Sequence, residues 1–145
     1  MVRLWDTSAV VPLVLREPTS GSFARLYVSD PAVIVWCLTP LEVGSAVCRK
    51  RREAVLGSPQ MRGARHRLSK LGADWTELDD VSAVRGRARR LVEVHPLRTA
   101  DAVQLASALV AVGDRPEGFS FVTLDARLAE AAEREGFEVL GATAE

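Results

Sequence analysis

Four acidic residues stand where chemistry could be built on them. Asp6 interrupts the apolar opening VRLWDTSAVVPLVL, between Trp5 and the hydroxyls Thr7 and Ser8. Glu42 lies in TPLEVGSAV, Asp101 in RTADAVQLASALV, and Asp125 follows FSFVTL. Taken singly, each has a structural explanation, because a carboxylate near a helix N-terminus complements the helix dipole and the free N–H groups. Thr39-x-x-Glu42 even has the form of a capping box, and Asp125 that of an N-cap. Taken together they are harder to explain. Carboxylates ~6 Å apart at an effective dielectric of 20 repel by roughly 3 kcal/mol per pair, so gathering them calls for a counter-charge. With two histidines (His66, His95) and two cysteines (Cys37, Cys48) that lack C-x-x-C spacing, zinc is disfavoured. A hard cation with oxygen ligands, Mg2+ or Mn2+, is the fitting counter-ion. Low pKa values at helix N-termini are expected to keep the carboxylates ionised and ready to coordinate. The chemistry open to such a centre is activation of water and stabilisation of charge on a phosphodiester oxygen.

The surrounding pattern says how the acids come to meet. VRLW (2–5), VIVW (33–36), WTEL (75–78), FSFVTL (119–124) and FEVL (137–140) read as strands. Between them, helices are expected over 8–15, 20–28, 39 to GSP (57–59), from there to about Leu71, 80–94, 99–112 and 125–135. Thr39 reads as an N-cap with Pro40 at the first helical position, GAD (72–74) as a helix stop, and Gly136 as a C-terminal cap. Strands alternating with helices argue for an α/β architecture with a parallel sheet covered on both faces. In such sheets function collects beyond the carboxyl ends of the strands. Asp6 and Asp125 lie at those ends, and Glu42 and Asp101 lie at helix starts that can open on the same side. The Asp101 helix has little polar face, so it is expected to be buried and rigid. Trp5, Trp36 and Trp75 are assigned to packing, with base stacking as the alternative, and the two cysteines to buried free thiols.

The chain of 145 residues is 48% hydrophobic and 26% charged, which suits one globular domain over residues 1–145. No apolar run approaches the ~20 residues of a membrane span, and the N-terminus does not read as a signal peptide, so no membrane partner is expected and the cytoplasm is the default location. The formal net charge is +0, which argues against a uniformly basic nucleic-acid binder, yet the charge is uneven. From Arg49 to Lys70 eight basic residues face one acid, Glu53. Arg49, Arg51 and Arg52 follow Glu42 along one helix by ~10–15 Å at 1.5 Å per residue, a reach of a few nucleotides. Arg98, just before the Asp101 helix, could touch a phosphate or pair with an acid.

WDTSAVVPL, TPLEVGSAV, RTADAVQLASALV and VTLDARLAEAA, in this order over nearly the whole chain, resemble the PIN-domain family, and within it the VapC toxins of bacterial type II toxin–antitoxin systems. The resemblance implies a three-layer α/β/α sandwich around a central, mainly parallel sheet. It implies an Mg2+- or Mn2+-dependent endoribonuclease, with Asp6, Glu42, Asp101 and Asp125 as catalytic and metal-binding acids. It gives Ser8 and Thr123 supporting roles. Its implied partners are an RNA substrate, a cognate antitoxin protein and a second copy of the chain in a homodimer. Other acid-based enzymes fit less well. A phosphatase using Asp6 as nucleophile wants a second Asp where Ser8 stands. A receiver domain wants a lysine near the late strand, and the lysines are Lys50 and Lys70. The non-enzymatic alternative is a nucleic-acid or partner-binding module on the same fold.

Overall fold

The computed structural model describes residues 2–29, 32–53 and 55–142. Its elements, in chain order, are β1 (Val2–Trp5), α1 (Thr7–Val14), α2 (Ser20–Val28), β2 (Ala32–Trp36), α3 (Thr39–Arg52), α4 (Ser58–Asp74), β3 (Thr76–Leu78), α5 (Val81–Val94), α6 (Thr99–Ala111), β4 (Ser120–Val122), α7 (Ala126–Glu135) and β5 (Glu138–Leu140). The strands form one sheet in the order β3-β2-β1-β4-β5, and every pairing is parallel. Strands covered on both faces carry apolar residues in both directions, which is why VRLW and SFV lack a polar alternation.

Successive residues supply opposite cores. Leu4, Trp36 and Phe121 pack toward α5, α6 and α7, with Leu91, Leu105 and Leu128. Trp5, Val35 and Val122 pack toward α1 to α4, with Val10, Val43 and Met61. The result is a three-layer α/β/α sandwich. The tryptophans belong to these cores: Trp5 packs edge-on against Phe23 and Tyr27, Trp36 is buried, and the Trp75 indole N–H donates to Glu77 at 3.1 Å. Stacking on a nucleobase is closed to all three as they stand. The cysteines are free as expected, but Cys37 is only partly buried and Cys48 is exposed on α3.

Two local expectations are corrected. Leu38, not Thr39, is the N-cap of α3, and no side chain caps that end. The Thr39 hydroxyl is buried and accepts from the Gln104 side chain at 3.1 Å, so it is spent on a tertiary contact. GAD does not stop α4, which runs through Asp74. Gly72 and Ala73 are exposed there, and a helix tolerates a solvent-facing glycine for ~1 kcal/mol.

The order of the sheet fixes where function can sit. The chain reverses its progress across the sheet at β1, so β1 and β4 are neighbours whose connections depart to opposite sides. A crevice opens beyond the carboxyl ends of strands at such a switch point. Asp6 follows β1 there, and Thr123 to Asp125 follow β4. Gly141, just past β5, has φ +101, and a Cβ on it would stand 2.7 Å from the Thr123 carbonyl oxygen and 2.8 Å from the Phe23 ring. Gly141→Ala is therefore expected to destabilise the fold by about 1–3 kcal/mol in urea titration. A loss below a few tenths would show that this strand end does not constrain the crevice.

Candidate metal centre

Asp6 is the N-cap residue of α1, but its carboxylate does not sit at the surface as a simple cap. It turns inward instead and is 3% exposed. The Ser8 hydroxyl donates to its Oδ1 at 2.8 Å. Ser8 Oγ also accepts the Leu124 N–H at 2.8 Å and lies 3.2 Å from Thr123 Oγ1, which accepts the Asp125 N–H at 3.0 Å. These two hydroxyls, from Ser8 after β1 and Thr123 after β4, tie together the turns that carry Asp6 and Asp125. Ser8 and Thr123 thus both stand beside Asp6.

Glu42 is held by a residue that the sequence reading did not single out. The amide nitrogen of Gln104, 4% exposed on α6, lies 3.0 Å from Glu42 Oε1, 2.9 Å from Thr7 Oγ1 and 3.1 Å from Thr39 Oγ1, so its two N–H groups are shared among three acceptors. One amide thereby locks α1, α3 and α6 together at their starts. The signal available was a lone amide in an otherwise apolar helix, one turn after Asp101. The capping box expected of Glu42 is absent, since its carboxylate faces Gln104 instead of the Thr39 backbone.

Asp6, Glu42, Asp101 and Asp125 line one cavity of about 550 Å3, together with Thr7, Ser8, Gln104 and Arg49. Asp125 also caps α7, accepting the Leu128 N–H at 2.9 Å through one oxygen, so its structural and site roles coexist. Arg49 reaches the cavity, whereas Arg51 and Arg52 do not line it. The helix phase explains this: Arg49 lies about 20° from Glu42 around α3, Arg52 about 80° and Arg51 about 180°. Arg98 lines an adjoining cavity with Asp101 and Asp125. Elsewhere in the basic stretch, Arg67 has a structural use, donating to the Val14 carbonyl at 2.8 Å beyond α1.

At Asp6, Glu42 and Asp101 the electrostatics reverse the expected direction. Burial lifts Asp6 from 3.8 to about 7, against hydrogen bonds from Ser8, Thr123 and the Ser8 and Ala9 N–H groups. Burial also raises Glu42, opposed by Gln104 and Thr7. Asp101 is raised by burial and by Asp125, and pulled back by Arg98 and Arg127. Desolvation outweighs the helix dipoles because the carboxylates lie inside the crevice rather than at solvated helix ends. Among the described residues no group of acidic, histidine or cysteine side chains forms a finished cation cage. The four carboxylates line the cavity without converging on one point. The donor set, all carboxylate and hydroxyl oxygen around a roomy cavity, fits a hard cation that keeps several of its waters.

Stability should follow the Asp6 proton. Between about pH 4 and 7 the folded chain keeps a proton that the unfolded chain has released, so this group's contribution is full below about pH 4 and is lost as pH rises through 7. The effect is on the order of 4 kcal/mol. In EDTA, Asp6→Asn is expected to gain melting temperature relative to the wild type between pH 4 and 8, and a pH-independent gap would refute the buried charge. Gln104→Leu should weaken Mn2+ binding in calorimetry about tenfold while Glu42→Gln/Gln104→Leu adds nothing to the loss from Glu42→Gln alone. Additive losses would mean that Gln104 does not act through Glu42.

The PIN domain family profile matches residues 3–134. Two curated relatives are each 32% identical over 135 residues, covering 93% of this chain and 92% of theirs: ribonuclease VapC45 of Mycobacterium tuberculosis strain CDC 1551 and ribonuclease VapC49 of strain H37Rv. FitAcB from Neisseria gonorrhoeae, known from a crystal structure, superposes with a TM-score of 0.66 at 16% identity over 100% of both chains, a likeness of fold. A parallel sheet with acids gathered at its switch point, and a sequence match that spans nearly all of it, place this chain in the PIN-domain family.

Proposed function

We infer that the chain is a divalent-metal-dependent endoribonuclease and the toxin of a toxin–antitoxin pair. The observation that carries this reading is Asp6: a buried carboxylate with no ion pair among the described residues, at the head of a cavity holding Glu42, Asp101 and Asp125. The names of the curated relatives support the activity. A bound Mg2+ or Mn2+ would supply Lewis-acid activation of water and neutralise charge at the scissile phosphate.

The chain's own residues supply the rest. Asp6 is the central ligand, oriented by Ser8 and Thr123. Asp101 and Asp125 complete the acidic face, and Gln104 aims Glu42 into it. Arg49 takes a phosphate along α3 from the centre, and Arg51 and Arg52, on other faces of that helix, extend the basic field more weakly. The partners in this reading are RNA, an antitoxin protein that masks the acidic cleft, and a second copy of the chain in a homodimer. No helix among the described residues is long and apolar enough to cross a membrane. The rival reading, a non-catalytic module on the same fold, draws on the lack of a finished cage.

The deciding experiment is cleavage of a labelled mixed RNA pool with Mn2+, with Mg2+ and with EDTA, beside Asp6→Asn purified identically. Metal-dependent internal cutting is expected, reduced at least ~100-fold in the folded variant. Wild-type cutting by Asp6→Asn would overturn the role of Asp6. RNA binding with no cutting and no Mn2+ uptake would favour the binding module.

A further inference from the structure

A second cavity, of about 470 Å3, shares Asp101 and Asp125 with the first but does not include Arg49; Pro96, Arg98, Ala126 and Arg127 complete its lining. Arg98 is the N-cap residue of α6 and Arg127 the second residue of α7, so both arise from helix starts anchored in the core. Helix starts favour anions. Nearby arginines are used up in ion pairs: Arg87 with Asp114, Arg90 with Glu135, and Arg134 with Glu130. Arg98 and Arg127 form no such pair among the described residues, although two carboxylates stand beside them. Both are exposed.

We propose that Arg98 and Arg127 form a phosphate-binding subsite for RNA on the side of the acid centre away from Arg49, so that a strand runs through the centre and is gripped on both sides of the bond to be cut. The proposal rests on the ribonuclease reading and deepens it. Arg49 lines the first cavity, Arg98 and Arg127 line the second, and the two cavities share Asp101 and Asp125, so an anionic strand crossing those acids would have cations on either flank. A grip on both flanks suits a cut within a strand rather than at its end. The grip is on backbone phosphate, so it is independent of sequence.

The test uses a short 5′-fluorescein-labelled RNA pool of mixed sequence, with anisotropy read in EDTA across a salt series. Arg98→Ala/Arg127→Ala is expected to bind about tenfold more weakly, with a salt slope shallower by about 0.7 for each phosphate no longer neutralised. Adding Arg49→Ala should multiply the losses, while Arg89→Ala, outside both cavities, leaves binding unchanged. In Mn2+ the double variant should raise KM and hold kcat within about twofold. RNA binding equal to wild type would overturn the subsite. If that variant also bound Mn2+ more tightly in calorimetry, the arginines would serve only to screen the acids. Metal-dependent cleavage by the wild type judges the ribonuclease reading separately, and a wild type that neither binds nor cuts RNA would end both.

Discussion

A buried carboxylate, with hydroxyls and N–H groups around it but no ion pair among the described residues, is the constraint on which this structure turns. Hydrogen bonds from Ser8, Thr123 and two backbone N–H groups lower the cost of charging Asp6 without removing it, which is why its pKa stays near 7. A protein that needed only a cap for α1 would have left this side chain at the surface, where N-caps work well. The crevice instead stores an electrostatic deficit that a bound cation would relieve.

The rest of the fold serves to hold that deficit in place. The reversal of the sheet at β1 makes β1 and β4 neighbours, and so brings two acid-bearing turns side by side. The Ser8–Thr123 hydroxyl pair then fixes one turn against the other. On the flank, α6 is buried through Ala102, Leu105, Ala106 and Leu109, so its start, with Asp101 and Gln104, moves only if the core moves. Close packing gives such a helix little freedom, and that rigidity is what a pre-formed ligand set requires. Gln104 extends the same rigidity to α1 and α3 through a single amide.

How much of this was legible in the sequence depended on whether the cause was local. The strand-to-helix joints at Asp6 and Asp125 could be read directly, because an apolar run, an acid and an amphipathic run follow one another along the chain. The parallel α/β class followed from the same alternation. Neighbours in space could not be read from period alone: nothing in SFV says that it lies beside VRLW. Thr39 was misread as a cap because its competing partner, Gln104, is 65 residues away. The pKa expectation failed for a similar reason, since a helix start is visible in sequence and its burial is not. Arg51 and Arg52 were a different matter, because helix phase alone separates them from Arg49. Arg127 was within reach too, two residues past an acid already singled out.

Charge of both signs is delivered by the same helix starts. The Glu42 helix carries Arg49 about two turns on along the same face, Arg98 precedes the Asp101 helix, and Arg127 follows Asp125. Acids therefore occupy the centre and arginines its margins, within a chain of net charge +0. A phosphate brought to within ~6 Å of one of these carboxylates at an effective dielectric of 20 meets roughly 3 kcal/mol of repulsion, so the margins attract a strand that the bare centre rejects. A divalent cation reverses the sign of the centre and leaves the margins as they were. Whatever free energy the cation adds to strand binding, the strand must return to cation binding, because the coupling is reciprocal. On the proposed reading, the division of charge between centre and margin would therefore let metal and polyanion each tighten the binding of the other.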